Sequence, residues 1–146
     1  MDIGSGSSCP SCALSNFSPH PFEFDGIQCA SMEGLLQSLK FSNPDMQAHV
    51  CTLVGKAAKF KGKKKKWFRD QTLYWKGTPI HRASEAYQIL IENAFNALAM
   101  NDGFRRALKA TNKANLTHSM GKNKINETVL TEREFCSQLH RLRDLI

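Results

Sequence analysis

The architecture of this protein follows from Ser31-Met-Glu-Gly-Leu-Leu-Gln-Ser-Leu-Lys-Phe41, a segment with helical periodicity. Positions 32, 35, 36 and 39 are Met, Leu, Leu and Leu, which puts four apolar side chains on one face of a helix. Ser31 is a favourable N-cap residue, and the Asn43-Pro44 pair breaks the pattern. We predict a helix from Met32 to about Phe41 whose apolar face enters the core.

A second face of this helix is polar. Glu33, Gln37 and Lys40 are spaced i, i+4 and i+7, so a carboxylate, an amide and an amine lie together beside the leucine stripe. A glutamate here can serve as a general acid or base if burial raises its pKa, whereas the helix N-terminus lowers it. On spacing alone, an exposed polar face with a helix-spaced Glu and Lys explains the same pattern.

On the N-terminal side of this helix, the sequence predicts one small β-hairpin. Residues 22–29 alternate apolar and polar side chains around an Asp25-Gly26 pair, which is favourable turn chemistry. Residues 1–13 are rich in Gly and Ser, so we expect a flexible lead-in there. The remaining chain, 14–146, is then a single domain.

On the C-terminal side, the pattern predicts four further helices. Pro44 opens the first, and its residues expected to face inward are Met46, Val50, Leu53 and Val54. The others are 84–98, 104–110 and a last helix from Thr131, which forms a capping box with Glu134. A short strand or an irregular segment is expected at 71–75. The fold class is therefore α+β, predominantly helical, with minor strands.

The composition is that of one folded domain. The chain has 146 residues, of which 41% are hydrophobic and 23% charged. No apolar run approaches the roughly 18 residues of a membrane span, and the first residues lack the basic and apolar regions of a signal peptide. We expect a soluble, cytoplasmic protein that does not contact membranes.

The net charge of +7 is concentrated in the second part of the chain. Residues 51–146 hold 19 basic against eight acidic residues, and residues 56–69 alone hold eight bases without one acid. Phe60, Trp67 and Phe68 are interleaved with these bases, a pattern typical of a phosphate track with stacking platforms. A solvated basic loop explains the run equally well, and Trp67 is equally suited to the core.

The five cysteines leave two interpretations open. An odd number without a secretory signal favours reduced thiols over a disulfide framework. Alternatively, Cys9 and Cys12 could ligate zinc together with His20 and Cys29, although this spacing is not a familiar zinc signature. Motifs of phosphate loops, dinucleotide folds and zinc proteases are absent from the sequence. We predict neither a metal nor a cofactor.

The ordered motifs of the first third resemble the NADAR family of N-glycosidases, also called YbiA-like. The motifs that carry the resemblance are Ser15-Asn16-Phe17, Pro21-Phe22, Asp25-Gly26 and Ser31-x-Glu33-x-x-x-Gln37-x-x-Lys40-Phe41. Looser agreement continues to about residue 143. The resemblance implies a YbiA-like domain that cleaves N-glycosidic bonds, either releasing ADP-ribose from modified guanine or hydrolysing phosphorylated ribosyl intermediates of riboflavin synthesis.

The resemblance also implies roles for individual residues. Glu33 would be the catalytic carboxylate and Lys40 the lysine near the sugar. The expected substrate-binding residues are Ser15, Asn16, Phe17, Gln37, Trp67, Arg69, His118, Lys122 and Asn123. A carboxylate near the ribose can stabilise oxocarbenium charge or activate water. A neutral lysine could instead attack the opened sugar and form a Schiff base.

Two positions depart from the family pattern. Gly34 stands where the family commonly has His, and close approach of a ligand would be one reason for a glycine in a first helical turn. The acidic-x-x-Trp-Gly stretch near the C-terminus is replaced by residues 117–123. His118 and Lys122 could take part of its role by contacting phosphates, although a solvated loop explains them equally.

The leading hypothesis is an N-glycosidase that removes ADP-ribose from modified guanine in nucleic acid or a nucleotide. Its partners would be ADP-ribose-containing or ribose-phosphate substrates, including ADP-ribosylated DNA or RNA. The alternative is a non-catalytic module that binds nucleic acid, ADP-ribose or NAD through the basic segment 56–69. A third hypothesis, a zinc-stabilised interaction domain, predicts stoichiometric zinc. The oligomeric state stays open.

Overall fold

Six α-helices and two β-hairpins make up the fold in the computed structural model, which describes residues 1–146. The strands are β1 (Phe22–Phe24), β2 (Ile27–Cys29), β3 (Thr72–Trp75) and β4 (Thr78–His81). The helices are α1 (Met32–Ser38), α2 (Pro44–Cys51), α3 (Gly55–Lys63), α4 (Glu85–Leu98), α5 (Asp102–Ala110) and α6 (Glu132–Leu145). Short 3-10 turns add Ser11–Leu14 and Trp67–Arg69. The predicted class, α+β and predominantly helical, is confirmed.

Both hairpins close on two-residue turns with positive φ. Asp25 and Gly26 join β1 to β2, with φ of 50° and 79°, and confirm the predicted hairpin. Lys76 and Gly77 join β3 to β4 in the same way, with φ of 51° and 84°. This turn geometry matches the twist of antiparallel strands. The uncertain segment at 71–75 is therefore a strand of a second hairpin.

The helix signals of the sequence are largely confirmed. The Ser31 hydroxyl caps α1 by accepting a hydrogen bond from the backbone N–H of Gly34 at 3.0 Å. At the start of α6, the Thr131 hydroxyl accepts from the Glu134 N–H, and the Glu134 carboxylate accepts from the Thr131 N–H. Each such cap satisfies backbone N–H groups that have no partner within the helix.

Helix α1 is the centre of the molecule. All seven of its residues are buried, because α2 and α3 cover it on the sides that the apolar core does not reach. Its apolar face packs into the same hydrophobic core as Ile91 and Phe95 of α4 and Phe135 of α6. An exposed polar face is thus excluded for this helix, and Glu33 and Gln37 lie in the interior.

The predicted reason for Gly34 is wrong. A Cβ at this position would lie 2.5 Å from the backbone oxygen of Leu53 and 3.0 Å from that of Cys51. The Ser31 hydroxyl also donates to the Leu53 oxygen at 3.0 Å. The glycine therefore allows the first turn of α1 to approach the backbone at the end of α2, and no ligand is needed to explain it.

Helix α2 presents a different face from the one predicted. Of the four residues expected to face inward, only Val50 is buried. Met46 and Val54 are exposed, and Leu53 is half-buried after the end of the helix at Cys51. The buried face of α2 consists of Gln47, Val50 and Cys51, so Met46 lies outside that face of the helix, while Leu53 and Val54 follow its end.

The basic segment 56–69 is mostly helical, so the interpretation as a solvated loop is wrong. Residues up to Lys63 belong to α3, and Trp67–Arg69 form a 3-10 turn. Lysine and alanine are good helix formers, and Ala58 and Gly62 are buried on the inner side of α3. The outer side keeps its lysines in solvent.

The N-terminal residues pack against the domain, contrary to the expected lead-in outside it. Ile3 is 1% exposed, within the core. Its N–H donates to the backbone oxygen of Thr117 at 2.8 Å, and Asp2 forms a β-bridge with Thr117. Residue 14 is therefore not a packing boundary. None of the helices is both long and apolar enough to cross a membrane.

The expectation of five reduced thiols is wrong at one pair, since Cys9 and Cys12 form a disulfide. Cys29, Cys51 and Cys136 are free, and the first two are buried. Two cysteines that are three residues apart can be joined when a tight turn brings their Cα atoms to 4.7 Å. The odd total count does not exclude such a local pair.

Candidate active site

One cavity of about 520 Å³ opens beside the polar face of α1. Its walls come from residues 15–17, α1, α3, the 3-10 turn at Trp67, the 118–122 loop and residues 127–130. Both candidate catalytic residues, Glu33 and Lys40, line it. So do seven of the nine expected substrate-binding residues: Ser15, Asn16, Phe17, Gln37, Trp67, His118 and Lys122. Arg69 and Asn123 lie outside it and are exposed.

Glu33 lines this cavity and is only 9% exposed. Burial raises its pKa, although the Gln37 amide and the charges of Lys59, Lys40 and His118 act in the opposite direction. Its backbone N–H donates to the Asn16 oxygen at 3.0 Å, which ties the 15–17 segment to the first turn of α1. Desolvation thus outweighs the groups that favour the anion, and Glu33 is suited to hold a proton.

Gln37 orients the Glu33 carboxyl. Its Nε2 donates to Glu33 Oε1 at 2.9 Å, and the residue is 7% exposed. The remaining oxygen of this amide, Oε1, is buried without a hydrogen-bond partner. A Cβ at Gly62 of α3 would overlap Gln37 Oε1, so the glycine provides the space for this side chain. An orphaned buried acceptor beside a cavity is suited to receive a hydroxyl of a bound ligand.

Lys40 lies just past the end of α1, half-buried, and its side chain reaches the same cavity. Burial lowers its pKa, as do the charges of Lys122 and Lys59, while Glu33 raises it. The lysine forms no salt bridge with Glu33. Its amine therefore faces the cavity without a carboxylate partner and can contact a ligand.

The cavity is strongly basic. Five lysines line it, namely Lys40, Lys59, Lys63, Lys65 and Lys122, against two acidic residues, Glu33 and Glu127. None of the five lysines takes part in a salt bridge. The ammonium groups of Lys59 and Lys65 instead lie over the rings of Phe17 and Phe41, at 6.0 and 4.9 Å from the centroids. Such a cluster favours a ligand with several negative charges.

The two tryptophans have different positions. Trp67 is buried in the core and also forms part of the cavity wall. Trp75 is buried away from the cavity, where its Nε1 donates to Asp25 Oδ2 at 2.8 Å and its ring packs on Phe24 at 5.1 Å between centroids. Both are core residues, and only Trp67 is available to a ligand.

Several lining residues were not among the individual site residues expected from the sequence. Lys59, Lys63, Lys65 and Phe68 lie within the basic segment 56–69, so the charge run was their signal. Gly4 and Ser5 come from the expected lead-in. Residues 127–130 form one wall, and nothing in their local sequence marks them, since the long connection between α5 and α6 brings them there.

The zinc ligand set is not assembled. Cys9 and Cys12 are bonded to each other, and His20 Nε2 is hydrogen-bonded to the Ala13 oxygen at 2.7 Å. Cys29 lies in the core beside Cys51. Groups of three His, Cys, Asp or Glu side chains that could hold a metal ion are absent from the structure.

The sequence of this chain is similar to those of phage proteins. The model of the family described as bacteriophage protein GP30.3 matches residues 8–144. An uncharacterized 17.1 kDa protein from the Gp30-rIII intergenic region of Enterobacteria phage T4 is 42% identical over 147 residues, covering 99% of this chain and 97% of that protein.

The fold has a solved counterpart. The NMR structure of the E. coli protein YbiA is similar with a TM-score of 0.65 and 17% sequence identity, over 99% of this chain and 83% of YbiA. This confirms the YbiA-like fold that the motifs around Glu33 and Lys40 indicated. The chain is therefore a member of the bacteriophage GP30.3 protein family, built on the fold of YbiA.

Proposed function

We propose that the cavity is the active site of an N-glycosidase that acts on a ribose-phosphate substrate. The observation that carries the proposal is the buried Glu33 in the wall of a 520 Å³ cavity that is also lined by five lysines. Pockets of roughly 300–1,000 Å³ hold ligands of nucleotide size. The ligand expected there is ADP-ribose attached to a modified guanine.

The Glu33 carboxyl supplies the acid for bond cleavage. Breaking the bond between ribose C1′ and a base nitrogen leaves positive charge on the sugar and an electron pair on the base. A carboxyl whose pKa is raised by burial carries a proton at higher pH than an exposed one and can deliver it to the leaving nitrogen. Gln37 keeps this carboxyl in one orientation.

The lysines supply binding energy for the phosphates. An ammonium group is a point charge suited to phosphate oxygens, and these five lack carboxylate partners. Lys59, Lys63 and Lys65 lie on one side of the cavity, from α3 and the residues that follow it. A pyrophosphate on that side would leave the attached ribose near Glu33 and Lys40.

Lys40 is assigned a binding role at the sugar. A closed ribose ring offers no carbonyl to an amine until the C1′–N bond breaks or the ring opens, so an attack by Lys40 would come after another step. Its lowered pKa still leaves a Schiff base with the released sugar as a side path. Cleavage itself is assigned to Glu33.

Nucleic acid is the proposed carrier of the modified base. Phe60 and Phe68 are 62% and 53% exposed, next to the cavity lysines, and Lys64 lies over the Phe60 ring at 4.7 Å from its centroid. Exposed aromatic rings among unpaired lysines are suited to stacking the bases of a single strand. The same surface favours the second candidate function, a non-catalytic module that binds nucleic acid.

The test is turnover of a synthetic oligonucleotide with ADP-ribose on guanine. The wild type is expected to release ADP-ribose, and Glu33→Gln is expected to lose turnover while it retains binding. Glu85→Gln is the matched control, because Glu85 also lies in a first helical turn but is exposed. Binding without release by the wild type, on this oligonucleotide and on ribosyl phosphates of bases, would favour the non-catalytic module.

A further inference from the structure

The His118 ring is held in one orientation by contacts on three sides. Its Nδ1 lies 2.7 Å from the backbone oxygen of Ile3. The ring packs edge-on against Phe135, with 5.1 Å between centroids and 72° between planes. On a third side, a Cβ at Gly121 would lie 2.7 Å from His118 Cδ2, so any other residue at position 121 would displace the ring. The imidazole is therefore held in a single orientation at the cavity wall.

These contacts also determine where the imidazole carries its proton. A carbonyl oxygen only accepts hydrogen bonds, so Nδ1 must be the donor to Ile3. In the neutral ring, Nε2 is then an acceptor with a free lone pair, and no group of the chain is hydrogen-bonded to it. His118 lines the cavity and is close enough to Glu33 for its charge to affect that carboxyl.

We propose that His118 Nε2 is the base that activates the attacking water in the N-glycosidase reaction. The inference rests on the proposed function and adds a second catalytic residue to it. The water oxygen forms a bond to ribose C1′ while one of its protons passes to Nε2. The C1′–N bond breaks, its electron pair goes to the base nitrogen, and that nitrogen receives the Glu33 proton. Exchange with solvent then returns both groups to their starting states.

The charged lysines of the cavity are not bases. An ammonium group has three donors and no acceptor, so it binds phosphate but takes no proton from water. With Glu33 assigned as the acid, the remaining carboxylate in the cavity wall is that of Glu127, which is exposed to solvent. An acid and a base in different environments are the arrangement expected for acid–base catalysis at neutral pH.

The N-terminal segment positions the base. The Asp2 carboxylate accepts hydrogen bonds from the N–H and the hydroxyl of Ser119, next to His118 in the loop. The His118 N–H donates to Glu132 Oε1 of α6 at 3.2 Å. The carboxyls whose pKa the His118 charge lowers are those of Asp2 and, across the cavity, Glu33; Glu132 contacts the His118 backbone, and Lys122 lies in the same loop.

The test uses two amide variants of the full chain. His118→Asn retains a donor near the position of Nδ1, and His118→Gln places an amide near that of Nε2, but neither can take a proton. Both are expected to lower kcat at least about 100-fold, within the range of general base catalysis. Both should also lose the rise of kcat/KM with pH that a general base produces as it becomes deprotonated. His49→Asn, on the exposed side of α2, is the control.

Binding of ADP-ribose separates catalysis from phosphate binding. The Kd measured by calorimetry is expected to stay within about twofold of the wild type in both His118 variants. A weaker Kd with unchanged kcat would overturn the inference in favour of a phosphate contact. Loss of the pH-dependent rise in Glu127→Gln, with His118→Asn unaffected, would transfer the role to Glu127.

Failure of the inference is distinguishable from failure of the proposed function. A wild type without turnover refutes both, whereas an active wild type with an equally active His118→Asn refutes only the role of His118. Nitrogen chemical shifts of the ring give a readout without turnover. When the imidazole is neutral, they are expected to report a proton on Nδ1 and none on Nε2, and the reverse tautomer would overturn the inference.

Discussion

Replacing Gly62 with alanine is expected to impair the site while the fold persists. The added methyl group would overlap Gln37 Oε1, a buried atom without a partner. The end of this flexible side chain can move, whereas the backbone of α3 is held by its packing on α1. Gln37 would therefore rotate and release Glu33 Oε1 from the 2.9 Å hydrogen bond that orients it.

Two opposing terms determine the change in stability. Alanine in place of glycine stabilises a helix by about 1 kcal/mol, while overpacking a close contact costs ~1–3 kcal/mol. The free energy of unfolding should thus fall by no more than ~2 kcal/mol, or about 6 °C in Tm for a chain of this size. The effect on catalysis is larger, because a misplacement of about 1 Å can cost on the order of 100-fold in rate.

The assay compares kcat/KM and Tm of four proteins: wild type, Gly62→Ala, Gln37→Ala and the double variant. We expect Gly62→Ala to lower kcat/KM at least about tenfold. Once Gln37 is truncated to alanine, the same substitution should stabilise the protein by less than ~1 kcal/mol, because the helix term remains and the closest atom left is the Cβ of residue 37 at 3.0 Å. If Gly62→Ala stabilises the wild type equally, or leaves kcat/KM unchanged, Gln37 does not occupy the space described.

Three further predictions follow from the charges of the site. Burial raises the pKa of Glu33 in the folded protein, so the contribution of this residue to stability falls as the pH rises above about 4.5, its pKa in the unfolded chain. Glu33→Gln should therefore raise Tm at pH 8 but not at pH 4. A lower Tm of the variant at pH 8 would contradict the burial of Glu33. Borohydride reduction during turnover should leave at most a small, substoichiometric fraction of sugar on Lys40, and a stoichiometric adduct found by mass spectrometry would make the Schiff base the main route. Replacing Lys64 and Lys66 with Gln should weaken binding of a single-stranded oligonucleotide and reduce the slope of log Kd against log salt by about 1.4, and an unchanged slope would exclude that surface.

Local sequence signals predicted the elements whose structure is determined locally. The Ser31 cap and leucine stripe of α1, the Asp25-Gly26 turn and the Thr131 capping box all depend on residues within a few positions of one another. The helix in segment 56–69 was harder to predict. Its residues are good helix formers, but the buried side of the helix consists of only Ala58 and Gly62, so the sequence shows no apolar stripe. A run of charged residues shows which side of a segment faces solvent, but it does not show whether the backbone is a helix or a loop.

The candidate site was predictable to the extent that one helix carries it. Glu33, Gln37 and Lys40 follow from helical spacing, but their burial depends on α2 and α3. The orientation of His118 depends on Ile3, 115 residues earlier in the chain, and no local pattern reports such a contact. The need for glycine at position 34 likewise depends on tertiary structure, because it comes from the close approach of the α1 backbone to the end of α2.

A crystal structure with ADP-ribose tests the central claim most directly. The ribose is expected within hydrogen-bond distance of Glu33 and Lys40, with phosphate oxygens beside Lys59, Lys63 or Lys65. ADP-ribose bound away from α1, or a cavity that stays empty at saturating concentration while the ligand occupies another surface, would contradict the claim that this buried carboxyl serves a ribose phosphate.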